Sequence, residues 1–535
     1  MSTPKGAASK HKASEPTPPK GPKPAAAGER PHASGEHSVH GDHGASTPPP
    51  PARMSHTEVR KIFFGLMLAA FLAALNQTII ATALPTIGRY FSDFVSLPWV
   101  VTAYLLTSTA VAPLYGKLSD IHGRRAMMLT AVGIFIAGSV ICAAAPNMLL
   151  LILGRAAQGL GGGGILPIAQ AIIADVVLPR ERGRYQAYMG VVWVTSGVGG
   201  PILGGVLSEH FHWSLIFWLN VPLGLTAAFL TQTYLKRMPR HDRKHELDLL
   251  GAGLMMASAA PLLLALSWGG TRYAWLSPAI LGLIAASMLL SLAFAWRLVR
   301  AREPFLPLSV LANPIMRTGT FSNSFSMATS ISLTIFTPLY FEVVQKLSAT
   351  DAGLALIPLA LTTPGSLISG RVMLRGRHYK WVPMVGLVCS IVVLSVLVWK
   401  PAPTLPVVIA ILSVVGTAIG MTYPVTTVSI QNSMPHHQVG VAMGAMNFFR
   451  SLASAFAVAV MGAIILAGFG AAPERGMSVS GIAAVAGAQG FDAAGVFRWV
   501  FLAAEVFLLA SLLGLILMEE RPLRGPGSTD PPPSA

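Results

Sequence analysis

Residues 116–125 read GKLSDIHGRR, and an apolar stretch long enough to cross a membrane lies on either side of them. A glycine, an acid and a cluster of cations in a tight turn between two spans suit the hinge of a moving helix bundle. Asp120 stands one helical turn before Arg124, the spacing at which two side chains meet on one helix face. It can also face the N-terminal end of a helix, where negative charge is favoured. Gly116 permits close helix approach and Gly123 a sharp turn. Asp175 ends the fourth apolar stretch on the same side. Gly116, Asp120, Gly123, Arg124, Arg125 and Asp175 therefore read as a charged latch that locks one face in one state and breaks in the other; a loop that only anchors topology is the plain alternative.

Outward from this turn the same pattern recurs. Apolar segments run at 62–84, 97–116, 126–145, 149–174, 186–207, 215–235, 249–268, 276–296, 317–341, 352–372, 382–399, 405–428, 439–468 and 496–518. Each is near or above the ~20 residues that carry a helix across ~30 Å of hydrocarbon. Each must be helical, because lipid offers no partner to a free backbone amide. Fourteen spans put both termini on one side, and the cations say which. One set of turns holds Lys117, Arg124 and Arg125; Arg180, Arg182 and Arg184; Lys236, Arg237, Arg240, Arg243 and Lys244; Arg297, Arg300 and Arg302; and Arg371, Arg375, Arg377 and Lys380. The opposite turns hold only Arg89, Arg272, Lys346, Lys400 and Arg475. The rich side is expected to be cytoplasmic.

Composition agrees. The 535-residue chain is 53% hydrophobic and only 11% charged, with a mean hydropathy of +0.60. Soluble proteins carry about 25% charge, so this chain has too little for a solvated surface. The net charge of +16 lies in short loops beside the spans and does not mark a nucleic-acid binder. Cys142 and Cys389 fall in apolar runs and read as small hydrophobes. Residues 1–56 are a low-complexity tail without apolar periodicity, expected to be disordered and cytoplasmic. Its His37, His40, Asp42 and His43 lack the support of a built metal site, so no metal is expected.

A faint repeat runs through the spans. Gly370, Arg371, Arg375, Gly376, Arg377 and Lys380 follow the tenth as Gly116, Lys117, Arg124 and Arg125 follow the second, but the acid is missing from the second copy. Two six-helix bundles at 57–240 and 304–520, an inserted helix pair at 241–303 and a short tail at 521–535 would give this echo. Parallel repeats of this kind are a signature of secondary transporters, with the substrate site at the interface of the halves.

Three other spans interrupt their apolar character. LGRAAQGLGGGG (153–164) places Arg155 inside a span, where a cation costs ~2.5–3.5 kcal/mol even on the lenient scale. GVVWVTSGVGGPILGG (190–205) strips side chains from a stripe that includes Gly197, Gly200, Gly204 and Gly205, for another helix to press against, and bends at Pro201. LNQTIIATALP (75–85) carries Asn76, Gln77 and Thr78. These segments, with GKLSDIHGRR, FTPLYFEVVQKLSATDAGLALIP (336–358) and GVAMGAMNFFRSLASA (440–455), resemble the ordered motifs of the major facilitator superfamily, in its fourteen-span drug:proton antiporter family of the EmrB/QacA type. The resemblance runs from about residue 57 to 520.

It implies an all-α polytopic fold and a proton-coupled multidrug efflux antiporter of the bacterial inner membrane. No cofactor is expected beyond the proton gradient. The implied partners are small amphipathic substrates, protons and the lipid bilayer, with a periplasmic adaptor protein left open. Two departures stand out: Asn76 and Ala81 occupy places where the family usually has Asp and Asn, and asparagine cannot titrate. Coupling then falls to another group: Glu342, Glu505, or an acid tuned by Arg155 or Arg450. One charge across 100 mV is worth about 2.3 kcal/mol, enough for the task. Candidate pathway residues are Asn76, Thr78, Gln158, Asn323, Phe325, Met327, Asn447 and Phe448. No nucleophile–base arrangement marks an enzyme. The rival readings are an exporter dedicated to one native metabolite or siderophore, and a membrane sensor or scaffold that does not transport.

Overall fold

The computed structural model describes residues 56–93, 96–237, 248–270, 272–301, 303–360, 362–375, 378–469 and 492–523. The tail with His37, His40, Asp42 and His43 lies outside them, as do Arg240, Arg243, Lys244, Arg302, Gly376, Arg377 and Arg475. The described residues are helical, without a sheet. We number the fourteen long segments α1 (His56–Phe91), α2 (Leu97–His122), α3 (Arg124–Ala143), α4 (Met148–Val176), α5 (Pro179–His210), α6 (Leu215–Tyr234), α7 (Leu249–Trp268) and α8 (Pro278–Arg300); then α9 (Pro314–Val343), α10 (Asp351–Arg375), α11 (Trp381–Trp399), α12 (Leu405–Ser433), α13 (Val439–Gly468) and α14 (Ala493–Leu517).

Thirteen of these are long and apolar enough to cross a membrane by composition. The exception is α9. Its 30 residues suffice for length, but it carries a run of Ser and Thr from Thr318 to Thr337. Such a helix belongs inside a bundle, where its hydroxyls find partners. Indeed Ser322, Asn323, Thr329 and Ser332 are fully buried. By contrast α8 exposes Met288, Leu289, Leu292 and Val299 and packs chiefly on α7, as a lipid-facing helix does.

One packing pattern occurs twice. In the first set α1 lies on α5 and α6, α2 on α4, and α3 on α4 and α6. In the second α9 lies on α13 and α14, α10 on α12, and α11 on α12 and α14. The sets meet chiefly along two seams, α2 against α13 and α5 against α10. The inserted α7 leans on both α2 and α13. Asp248 caps α7 by accepting from the Gly251 amide at 3.0 Å, and it pairs with Arg297 of α8 at 3.0 Å. Burial opposes its charge, yet the Gly251 amide and the Arg297 guanidinium hold the Asp248 carboxyl below the usual range.

Candidate functional site: the seams between two helix sets

Four helix ends converge at the first seam. Gly123 links α2 to α3 with φ +89°, a left-handed conformation that glycine adopts without strain. This sharp turn brings Arg124 back over the end of α2. Its guanidinium lies 2.5 Å from Asp120 Oδ1, and its Nε donates to Asp175 Oδ2 on α4 at 2.9 Å. Its Nη1 also donates to Ser119 Oγ at 2.7 Å. Asp120 in turn accepts from the backbone amides of Gly440 at 3.1 Å and Val441 at 2.9 Å. Those amides open α13, so an acid of the first set caps a helix of the second, where negative charge is favoured. Asp120 and Arg124 are both almost fully buried. Gly116 and Gly440 let the helices touch: a Cβ on Gly116 would strike the Gly440 carbonyl, and one on Gly440 would strike Arg124, Asp120 and the Gly116 carbonyl.

Five of the six expected latch residues therefore meet at one point. Arg125 does not join them; its Nε donates to Gln232 on α6 at 3.2 Å. A helper that sequence reading missed is Arg182, counted there only as a loop cation. It is buried and donates to the carbonyls of Val177 and Ala174, fastening the end of α4 that carries Asp175.

The second seam is built differently. Gly183, Gly190 and Gly197 recur at seven-residue intervals and so face nearly one way on α5. A Cβ on Gly183 would lie 2.9 Å from Gly370 Cα, one on Gly190 would lie 3.6 Å from Thr363, and one on Gly197 would find nothing within 4 Å. The helices are thus tight near the latch and part toward the far end. The segment after α14 straps the tight end. Glu520 accepts from the amides of Tyr379 at 2.6 Å and Lys380 at 2.9 Å, Asn432 donates to the Pro522 carbonyl at 3.2 Å, and Arg180 of α5 donates to the Leu523 carbonyl at 3.1 Å.

A polar layer joins the two sets just beyond the latch. Gln170 of α4 donates to Tyr423 Oη of α12 at 2.7 Å and accepts from Asn447 of α13 at 2.6 Å, while Gln431 donates to its carbonyl at 3.0 Å. Asn447 was expected on the path and is here; Gln170, Tyr423 and Gln431 were not foreseen. Their apolar neighbours on amphipathic faces hid them. Asn323 of α9 donates to Thr426 at 2.9 Å within the second set. Arg450 lies three residues beyond Asn447 and is 8% exposed.

Arg155 lies elsewhere. It is fully buried within the first set, donating to the Val100 carbonyl at 2.9 Å, Asn76 Oδ1 at 3.2 Å and Gln158 Oε1 at 2.5 Å, with its guanidinium 4.4 Å from the Tyr104 ring centroid. Gln158 passes a bond on to Ser139 at 2.7 Å, and Asn220 donates to Asn76 at 3.3 Å. Neutral dipoles and an aromatic face solvate this cation, and among the described residues no carboxylate pairs with it. Asn76 and Gln158, expected along a substrate path, are instead its sealed solvation shell. They are withdrawn from open space because a buried guanidinium claims their oxygens.

The other expected residues scatter. Thr78 donates to the Ser196 carbonyl at 2.7 Å and packs where Gly200 leaves room, as Ile79 and Thr82 pack at Gly204. Gly200 and Gly204 thus serve helix packing. Gly197 and Gly205 face open space instead, and Pro201 is exposed. The Phe325 ring turns to Phe321 and to Phe507 of α14, Met327 packs on the core of the second set, and Phe448 stacks edge-on with Phe449. Glu342 is half-buried near the far end of α9. Glu505 accepts from Ser395 of α11 at 2.8 Å, on the side of α14 away from the seams.

The profile of the Major Facilitator Superfamily matches residues 66–248 and again 249–458. An uncharacterised MFS-type transporter of Mycobacterium tuberculosis is 34% identical over 76% of this chain, which spans 59% of that relative's length. The multidrug transporter protein MdtP of Bacillus subtilis is 31% identical over 75% of this chain and 74% of its own. The efflux pump FUS6 of Gibberella moniliformis is 33% identical over 78% of this chain and 76% of its own. Among solved structures, the human organic anion transporter MFSD10 aligns with a TM-score of 0.58 at 17% identity, covering 84% of this chain and 99% of that one. A bacterial homologue of the iron transporter ferroportin aligns at 0.57 and 13%, covering 85% and 98%. The chain belongs to the Major Facilitator Superfamily, and its many long apolar helices make it a multi-pass membrane protein.

Proposed function

We propose, starting from that membership, that the chain is a secondary active exporter of amphipathic toxic compounds that works by alternating access. The observation that carries this reading is the splay of the second seam, closed at Gly183 and open at Gly197, beside a latch closed at the same end. A seam tight at one end and parted at the other is half of an alternating cycle. Its partner state would break the Asp120 bonds to α13 and close the far end. The names of the multidrug and efflux relatives support export as the direction.

In this reading the latch end, rich in cations, faces the cytoplasm of a bacterial cell together with both termini. Substrate leaves at the far end while protons enter. Asn76 cannot carry the proton, Asp120 and Asp175 are held by Arg124, and Glu505 is turned to α11. Glu342 on α9 is the remaining acid beside the second set's interior, and we assign coupling to it.

The test uses Gly197→Cys in a Cys142→Ser, Cys389→Ser background. A membrane-impermeant thiol reagent added outside should label it, and labelling should slow severalfold when substrate and an inward proton gradient drive turnover. The same chain in vesicles should show substrate-driven pH changes that Glu342→Gln abolishes. Labelling that never changes would overturn alternation, and unaltered pH changes in the Glu342 variant would overturn the coupling assignment.

A further inference from the structure

The charges within the spans do not balance. Acids in the fourteen helices stand at their ends: Glu58, Asp120, Asp175, Glu181, Glu209, Glu342 and Asp351 are each within two residues of a terminus. Glu505 alone sits in the middle of a span, and it bonds Ser395 on the outer side of α14. Two arginines, in contrast, lie deep. Arg155 is sealed among neutral acceptors. Arg450 differs: it lies ten residues beyond Gly440 on α13, ~15 Å along the helix, about half of the ~30 Å hydrocarbon thickness. Among the described residues its guanidinium has no hydrogen bond and no ion pair; apart from the helix's own backbone bonds, Ser454 Oγ donates to its carbonyl.

A guanidinium at that depth must face a polar space, since hydrocarbon would expel it. It offers five donors in a fork that fits a carboxylate or sulfonate. α13 meets both sets, touching α2 and α4 on one side and α9 on the other. At the matching depth of α9, Asn323 and Ser324 are neutral, and the Ser324 hydroxyl is buried without a protein partner. The interior between the sets is therefore polar and carries one unmatched positive charge. A cationic substrate would meet repulsion there with no acid at that depth to offset it.

We propose that the substrate supplies the missing charge: the transporter carries amphipathic organic anions, bound through Arg450, and excludes lipophilic cations. This names the substrate class of the export reading and rests on it. A potential negative inside also drives an anion outward, so the absence of an acid at Asn76 costs an anion exporter less drive than it would cost a cation exporter.

The full chain, reconstituted in phosphatidylethanolamine–phosphatidylglycerol vesicles, should be given three probes: anilinonaphthalene sulfonate as amphipathic anion, ethidium as cation and a neutral amphiphile of similar size. The anion should be carried at least tenfold faster than ethidium, and faster still when a potassium diffusion potential opposes its retention. Arg450→Gln should cut anion flux at least tenfold with little change for the neutral probe, and Arg450→Lys should restore much of it. Should Arg450→Gln prove unstable, a thermal shift by anilinonaphthalene sulfonate in the native chain that ethidium does not produce supports the assignment. Equal handling of anion and cation, or anion flux indifferent to Arg450→Gln, overturns the charge assignment and leaves export standing. Transport of none of the three overturns export and this inference together.

Discussion

The two seams occupy equivalent places in a repeated packing pattern, yet they are fastened by different chemistry. Where α2 meets α13, the fastening is ionic and local: Asp120 binds two amides across the seam and is itself bound by Arg124. Where α5 meets α10, the glycine contact is kept, Gly183 on Gly370 mirroring Gly440 on Gly116. The acid is not kept. Four residues after Gly370 stands Leu374, exposed, where Asp120 follows Gly116. A carboxylate nevertheless arrives from beyond α14, since Glu520 caps Tyr379 and Lys380 and lies 3.6 Å from His378. One seam carries its acid in the turn; the other borrows it from the chain's end. Removing one partner of a buried, bonded pair costs about 3–5 kcal/mol, whereas exposed pairs are worth ~0–1 kcal/mol. The first seam is thus the strong one and the second the compliant one.

The comparison can be broken in three places. Asp120→Asn should have the largest effect. It strips the charge from a buried pair, so transport should fall more than tenfold while membrane insertion, checked by surface biotinylation and monomeric elution, stays intact; efflux within twofold of normal would refute the strong seam. Next comes the glycine contact. Gly440→Ala pushes a methyl into Arg124 and Asp120 and should destabilise the closed end by about 1–3 kcal/mol. Gly183→Ala meets the flexible Met373 thioether as well as Gly370 and should cost less. Thiol labelling at a far-end cysteine in the two variants ranks them, and the reverse order would invert the comparison. The smallest effect belongs to Glu520→Gln, which weakens two amide caps by about 1 kcal/mol. It should lower the midpoint of thermal unfolding by a few degrees and leave transport within threefold. A collapse of transport would make the borrowed acid as important as the native one.

Much of this was legible beforehand. The spans follow from apolar length, and the Asp120–Arg124 pair follows from its spacing of one helical turn. The missing acid of the second copy could be read as well. Its replacement could not, because Glu520 is 141 residues from Tyr379 in sequence and no periodicity links them. Polar residues within spans were found, but their neighbours were not. Asn76 and Gln158 look like pathway residues until Arg155 is seen to claim them, and Phe325 looks central until its ring is seen against α14. A helical wheel gives a direction from one axis, while the partner in that direction depends on how fourteen axes are arranged. The glycine run of α5 likewise looks like one packing stripe, though Gly200 and Gly204 serve α1 and Gly197 faces open space.

That last glycine has an asymmetric tolerance. In the present pose a bulky side chain at 197 would hang in a vacant gap and disturb nothing. In the opposite pose that the proposed cycle calls for, the same group would be caught between α5 and α10 like a doorstop. Glycine stands at 183, 190 and 197 alike, including where bareness is not now required, and a second pose of the proposed cycle would make use of the spare room.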